Sequence, residues 1–208
     1  MRLVETYCAA ALAAVLLTAP AAAQTPAPEA APTRHAHTLT RFSQASEVQL
    51  RDFAGFARVI PENRNDVAIG FANVGVTPAP EYRVTRGRLI VDGKLRRQIR
   101  SCRVLGSDGF EVQTTRQGRL SGAQLPIIEV HVPQNAVVTV SGAVRLHMAP
   151  AQAAHIRLDA CGDADIVRVQ GEAEVAISGS QDLRLYEAGS AEIAVAGSGD
   201  VALGAGRD

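Results

Sequence analysis

One six-residue turn occurs three times near the end of the chain, as Cys161-Gly162-Asp163-Ala164-Asp165-Ile166, Ser178-Gly179-Ser180-Gln181-Asp182-Leu183 and Ala196-Gly197-Ser198-Gly199-Asp200-Val201. The copies begin 17 and then 18 residues apart, and related half-turns at Gly171 and Gly189 fall between them. Each repeat therefore has room for two short strands. Self-similarity at a short, fixed period is typical of a solenoid, in which each unit packs only on its neighbours.

Each turn is followed by a strand-like alternation of apolar and variable residues. Stacking the repeats would align these apolar side chains in columns, and small corner residues would let successive coils approach closely. We therefore predict an all-β fold, a right-handed parallel β-helix with coils of 17–18 residues. An antiparallel β-sandwich is the alternative. Strands in a sandwich usually run about five to six residues, whereas the apolar alternations here cover only three, which favours the β-helix. The apolar pairs are Val175 and Ile177, Leu183 and Leu185, Ile193 and Val195, and Val201 and Leu203.

The repeat corners carry two kinds of residue with predicted roles. Gly162, Gly179 and Gly197 are expected at equivalent corners, and Asp165, Asp182 and Asp200 are expected to stack as a ladder of carboxylates. A carboxylate ladder invites calcium, but calcium-binding nonapeptide repeats have a different spacing. Asp residues at turns also accept hydrogen bonds from backbone N–H groups. We predict no metal and no cofactor.

The beginning of the chain indicates export. Residues 1–23 have the pattern of a signal peptide, with an apolar run too short to span a membrane and a cleavage site at Ala21-Ala22-Ala23. Residues 24–41 form an Ala- and Pro-rich linker, and residues 42–208 one folded domain. We expect a mature protein without a transmembrane segment, located in the periplasm or at the cell surface.

Removing the predicted signal leaves two cysteines, Cys102 and Cys161. Disulfides persist in oxidising compartments, so we predict a bridge between these two residues. They lack CxxC spacing and have no neighbouring His, which argues against a redox or metal site.

Charge is uneven although the net charge is zero. Between Glu81 and Leu125, ten Arg and Lys residues stand against four Asp and Glu residues. Arg96, Arg97, Arg100 and Arg103 are candidate ligand-facing residues for an anionic envelope glycan, with solvated strand faces as the alternative. Scarce aromatic residues argue against stacking on nucleic-acid bases.

The opening segment Phe53-Ala54-Gly55-Phe56-Ala57-Arg58-Val59, the strand end Val132-Pro133 and the corner Gly197-Ser198-Gly199-Asp200-Val201 resemble the auto-transporter adhesin head GIN domain family of bacterial envelope proteins. The resemblance covers about residues 45 to 208. It implies a right-handed β-helical fold at the envelope and no catalytic residues, and this chain departs from it at Gln181 and Ala191.

These observations predict an exported, non-enzymatic β-solenoid with an adhesin-like binding role or a structural role in assembly, its partner an envelope glycan or another copy of itself. The alternative is a carbohydrate-active β-helix enzyme, which would need clustered carboxylates in a cleft. Only Asp108 and Glu111 stand close together before the repeats.

Overall fold

The computed structural model describes residues 38–106 and 109–204, all within one compact unit. The regular secondary structure of these residues consists of β-strands and one short 3-10 turn, Gly122–Gln124. The strands are β1 (Thr40–Phe42), β2 (Glu47–Glu62), β3 (Val67–Asn73), β4 (Glu81–Thr85), β5 (Arg88–Asp92), β6 (Ile99–Leu105), β7 (Gly109–Thr114), β8 (Gly118–Ser121), β9 (Ile127–Pro133), β10 (Asn135–Met148), β11 (Ala153–Ile166), β12 (Val169–Ile177), β13 (Ser180–Leu185), β14 (Ala188–Val195) and β15 (Val201–Leu203).

The strands of the second half of the chain form a parallel ladder, and each level of this ladder is called a coil below. β10 pairs with β11 along its whole length, and β11 then pairs with β12 through its first half and with β13 through its second. β14 and β15 add the next coil in the same way. Ala154 lies opposite Ala173 and Leu183 opposite Val201, so a coil advances by 19 or 18 residues.

The first half of the chain is arranged differently. β2 pairs in parallel with β10, from which β3–β9 separate it in sequence. On its other side it pairs with both β5 and β9, which lie end to end as one further coil. The strands β1, β3 and β4 are antiparallel to their neighbours.

The all-β prediction is therefore confirmed. The main sheet, however, contains both parallel and antiparallel pairs, whereas the prediction was of a wholly parallel fold. Twelve strands form this mixed sheet, and β6, β7 and β8 form a separate antiparallel sheet. The right-handed parallel β-helix over the whole of residues 42–208 stays a prediction. Residues 1–37 lie outside the described residues, and with them the signal segment and most of the linker; β1 already includes Thr40 and Arg41 of the predicted linker.

Two of the four predicted apolar pairs line the interior of the stacked coils. The other two, Ile193 with Val195 and Val201 with Leu203, lie in the terminal coil, which is the last described one and is formed by β14 and β15; there Val195 and Leu203 are exposed. Val175 and Ile177 continue the columns of Ile156 and Leu158, and all four side chains are buried. Leu183 and Leu185 are buried in the other half of the coil. Stacked burial of this kind explains why each coil depends on its neighbours for stability.

Each of the three long strands, β2, β10 and β11, contains a glycine with positive φ near its middle. Gly162 has φ of +135°, and a Cβ there would collide with the carbonyl oxygen of Val144 in the preceding coil. A side chain is therefore excluded both by the backbone conformation and by the close stacking. β11 pairs with β12 ahead of this glycine and with β13 around and after it, so it spans the length of two of the short strands expected from the sequence.

The three-stranded sheet packs on the main sheet at Ala54 and Ala143, next to the glycines of β2 and β10. Its inner face contributes Phe110, Val112 and Leu120 to a second core, which Ala54 and Ala143 complete from the main sheet. Cys102 of β6 and Cys161 of β11 form a disulfide across this contact, with Cα atoms 6.0 Å apart. The predicted pairing is thus present.

Candidate functional site

Outward-facing side chains form two rows across the second halves of the long strands. Strand pairing alone sets their order, because residues in register on adjacent parallel strands lie side by side. The first row runs Glu129, Arg58, His147, Asp165 and Arg184. The second row runs Ile127, Phe56, Arg145, Asp163 and Asp182.

Charges of opposite sign are paired along the first row. Arg58 Nη1 donates to Glu129 Oε1 at 3.2 Å, and Arg184 Nη1 donates to Asp165 Oδ1 at 3.3 Å. His147 stands between these two pairs and is exposed. The row therefore presents alternating donors and acceptors with little net charge.

The second row contains a buried ion pair. Arg145 Nε lies 3.1 Å from Asp163 Oδ1, and only 3% of the Asp163 side chain is accessible to solvent. Burial raises the pKa of Asp163, since desolvation penalises the charged carboxylate more than Arg145 favours it. Arg184 Nη1 lies 3.7 Å from the second carboxylate oxygen and adds a further favourable charge.

A groove of about 620 Å³ runs beside these rows. Phe56 and Ile127 give it apolar surface, and Arg58, Arg145, His147 and Asp165 add polar groups. The remaining lining residues are Ala57, Asn73, Gly122, Ala123 and Leu146.

Two contacts hold the walls of the groove in place. The Phe56 ring packs edge-on against Phe110 of the three-stranded sheet, with ring centroids 5.8 Å apart. Asn73 Nδ2 donates to the carbonyl oxygens of Ala123 and Leu125, at 2.9 and 2.8 Å. The groove is thus formed by strands of the main sheet and by the 3-10 turn Gly122–Gln124 that follows β8.

The arrangement is suited to holding a polar chain against an apolar surface. Arginine offers several N–H donors in a fixed plane, and carboxylate oxygens accept hydrogen bonds. Sites that bind small polar molecules commonly combine a few such groups with apolar contacts. The groove is therefore a candidate binding site in an all-β fold.

The four predicted ligand-facing arginines do not form one surface. Arg96 and Arg97 line two shallow depressions that share Asp52 and Asp159. Arg103 lines a third depression on the three-stranded sheet, with Glu111 and Arg119. Arg100 donates from Nε to Thr115 Oγ1 at 3.1 Å. All four are exposed, and their role in binding stays a prediction.

The repeat corners are in a different register from the one predicted. Gly179 and Gly197 are equivalent, since a Cβ on Gly179 would meet the backbone of Ala160 and one on Gly197 the backbone of Gly179. Gly162, by contrast, lies opposite Gln181. The first copy of the turn is therefore shifted by two residues relative to the others.

Because of the same shift, the predicted ladder of Asp165, Asp182 and Asp200 is wrong in its first member. Asp165 lies opposite Arg184 and pairs with it, so it is not part of a stack with Asp182 and Asp200. Asp163 takes that place, opposite Asp182. Asp182 Oδ1 in turn accepts the backbone N–H of Asp200 at 3.0 Å, so it bonds to the backbone of the next coil and not to its own turn.

Within residues 38–106 and 109–204, no group of three or more His, Cys, Asp or Glu side chains is placed to hold a metal ion. The same part of the chain has no helix long and apolar enough to cross a membrane.

Sequence reasoning did not find the groove. Its main polar residues, Arg58, Arg145 and Asp165, are far apart in the chain and meet only because β2, β10 and β11 are stacked. The one usable signal was Phe56, an aromatic residue at an outward position of a strand in a chain with few aromatic residues.

Three solved structures resemble the chain at low similarity. A candidate cell adhesion protein from Clostridium sporogenes is 9% identical, with a TM-score of 0.38, and the match covers 80% of this chain and 97% of that one. Candidate adhesins from Bacteroides fragilis and Parabacteroides merdae are 8% and 10% identical, with TM-scores of 0.22 and 0.24. These two matches cover 80% of this chain and 96% and 95% of theirs. No protein-family model matches the chain, and no curated protein matches it.

Proposed function

We propose that the protein is an exported, non-enzymatic β-solenoid of the bacterial cell envelope that binds a carbohydrate chain, in the manner of an adhesin. The observation that carries the proposal is the groove between the main sheet and the 3-10 turn, with apolar surface at Phe56 and Ile127 beside a row of alternating charges. Sugar rings present apolar C–H faces, and their hydroxyl groups both donate and accept hydrogen bonds. Each kind of surface in the groove therefore has a counterpart on such a ligand.

The pairing of charges favours a neutral or weakly acidic carbohydrate over a polyanion. Arg58 is paired with Glu129, and Arg145 with Asp163, so neither cation is free to attract a strongly charged polymer. The proposed ligand therefore differs in charge and place from the anionic glycan predicted to bind the arginines of residues 96–103. We expect binding in the groove to depend only weakly on salt, because few counterions are released.

Two features support the solenoid and export parts of the proposal. The coils stack in parallel with steps of 18 and 19 residues, as in a β-helix. The disulfide between Cys102 and Cys161 favours an oxidising compartment. The resemblance to the head GIN domain family belongs to the same proposal, and Phe53 and Val59 of its opening motif are core residues of β2.

The carbohydrate-active enzyme is the competing function, and the groove argues against it. Glycoside hydrolysis ordinarily uses two carboxyl groups that flank the scissile bond. Asp165 is the one carboxylate among the described lining residues, and Arg184 is bonded to it. Asp163, the next nearest in the row, is buried in its pair with Arg145.

The test is a screen of the exported, purified protein against envelope and extracellular polysaccharides, with binding and the release of new sugar ends measured on the same samples. We expect binding without cleavage. His147→Ala and Arg58→Ala should each weaken binding by about tenfold, since each removes a hydrogen-bonding group worth on the order of 1 kcal/mol or more.

Arg103→Ala is the matched control, because it removes an exposed arginine from the other sheet. It should leave affinity unchanged. Loss of binding in Arg103→Ala with none in His147→Ala would place the ligand on the basic segment instead. Cleavage of any polysaccharide would contradict the non-enzymatic function.

A further inference from the structure

The groove crosses the strands of the main sheet and does not follow any one of them. Its lining includes Ile127 from β9, Phe56 from β2, Arg145 from β10 and Asp165 from β11. These four strands are consecutive neighbours in the sheet. A chain molecule that lies in the groove therefore runs from one strand to the next.

The first polar row runs in the same direction and has a definite length. It takes one outward side chain from each of five neighbouring strands, in the order Glu129, Arg58, His147, Asp165 and Arg184. Beyond Glu129 the next strand places Gly70 in register, and beyond Arg184 the next strand places Ala202. Neither residue has a polar side chain, so both ends of the row lie within the described part of the fold.

The stacking of the strands sets the repeat of this row. Neighbouring strands lie about 4.8 Å apart, so the row offers a hydrogen-bonding group about every 4.8 Å and spans about 19 Å. An extended chain of (1→4)-linked β-pyranose rings advances by about 5 Å per ring, which is close to this strand spacing. Over the four steps of the row the mismatch stays at about 1 Å, which the long side chains of Arg58 and Arg184 can absorb.

Other linear ligands do not match the repeat of the row. Side chains on one face of an extended peptide recur about every 6.8 Å, so they fall out of step by about 2 Å at each strand. The same 6.8 Å or so separates side chains on one face of a single strand, so a glycan laid along a strand would also be out of step. Chains of α-(1→4)-linked rings coil, and their rings leave a straight row after a few units.

The second row provides a surface for the faces of the rings. Phe56 and Ile127 are adjacent in that row, and both line the groove. The two rows are two residues apart along each strand, or about 6.8 Å. A flat β-linked ring whose C–H face lies on Phe56 therefore directs its hydroxyl edge toward the first row.

We propose that the ligand of the groove is an extended polysaccharide with a (1→4)-linked β-pyranose backbone, bound across the strands with one ring per strand and five rings in contact. This inference rests on the proposed function. It narrows the ligand from a neutral or weakly acidic carbohydrate to one linkage and one chain direction.

The test is calorimetric titration of the exported, purified protein with oligosaccharides of two to eight rings. The β-(1→4)-linked series are the oligomers of cellulose, chitin and β-mannan, and the comparison series are α-(1→4)- and α-(1→6)-linked glucose oligomers. In the β-linked series that binds best, affinity should rise about threefold or more with each added ring, because each ring gains hydrogen bonds, and should level off at five rings. The α-linked five-ring ligands should bind at least tenfold more weakly.

Arg184→Ala tests the end of the row. Arg184 lies outside the groove lining, so a three-ring ligand should bind the variant as it binds the wild type. The five-ring ligand should lose about threefold or more in affinity, and the plateau should move to four rings. Arg157→Ala is the matched control, because it changes an exposed arginine in the half of β11 that pairs with β12. It should leave both affinities unchanged.

Amide chemical shifts of the labelled protein give the chain direction on the unaltered sequence. The five-ring ligand should shift amides in β9, β2, β10, β11 and β13 alike. Shifts confined to one or two strands, a plateau at one or two rings, equal binding of the α-linked series, or weakening by Arg157→Ala would overturn this inference and leave carbohydrate binding intact. Failure of every oligosaccharide and polysaccharide to bind would overturn the proposed function with it.

Discussion

At the scale of single residues, Asp66 is the best-supported carboxylate in the described part of the fold. It is 4% exposed, and it accepts hydrogen bonds from Arg64 Nε at 2.8 Å and from Arg41 Nε at 3.0 Å. Arg64, followed by Arg41, holds the pKa of Asp66 below its ordinary value of 3.8, against the opposing effect of burial. The stabilisation is therefore fully present above pH 3.8 and is lost as the pH falls through the lower, folded-state pKa.

We predict that Asp66→Asn lowers the free energy of unfolding by about 2 kcal/mol at pH 7, as expected for hydrogen bonds to a charged group. The deficit should shrink toward zero in strong acid, where the wild-type carboxylate is also protonated. Urea denaturation at several pH values measures it. Asp159→Asn, at an exposed carboxylate, is the control and should change stability by less than about 0.5 kcal/mol. A deficit that stayed constant with pH would show that charge is not its source.

At the scale of elements, the disulfide fixes the three-stranded sheet to the coils. The bridge spans 59 residues of sequence, and a loop of that length is worth about 4 kcal/mol in the chain-entropy model. We predict that the Cys102→Ser, Cys161→Ser double variant loses up to this amount of stability, measured by urea denaturation. β6 and β7 should be the first strands to lose protection from hydrogen exchange.

Reductant supplies the control for that measurement. It should destabilise the wild-type protein and leave the double variant unchanged. Equal effects of reductant on both proteins would mean that the bridge is not the source of the difference.

The register of the coils shows what local pattern can and cannot predict about elements. The apolar alternation correctly predicted which side chains are buried in the coils before the terminal one, such as Leu183 and Leu185. It could not choose between a 17- and a 19-residue step, because a slip of two residues keeps every side chain on the same face of its strand. Gly162-Asp163-Ala164-Asp165 offers an Asp at both positions, so composition did not resolve the choice either.

The order of the strands in the sheet and the groove could not be predicted from the sequence for a different reason. β2 precedes β5 and β9 in the chain, yet it lies between them and β10 in the sheet. No periodicity signals such an exchange of order, since it depends on contacts between distant segments. The groove depends on the same exchange, because Phe56 and Arg58 of β2 reach Arg145 and His147 only through it.

At the scale of the whole molecule, a stack in which each coil contacts only its neighbours should not be equally stable along its length. Within residues 38–106 and 109–204, inner coils pair on both sides, whereas the terminal coil of β14 and β15 pairs on one. In β10 the interior residues Leu146 and Met148 are fully buried, but their counterparts in the last coil, Val201 and Leu203, are 37% and 60% exposed. Less buried apolar area means a smaller free energy of local opening.

We therefore predict a gradient of hydrogen exchange at high dilution, with amides of β14 and β15 exchanging fastest among the coil strands and those of β10 and β11 slowest. Exchange measured strand by strand under native conditions would show it. Val175→Ala, one coil inward, should speed exchange in β12 and β14 more than in β2, because a coil transmits its support only to adjacent coils. Uniform exchange across all the strands would instead mean that the fold opens as one cooperative unit, which would exclude additive stacking of coils as the source of its stability.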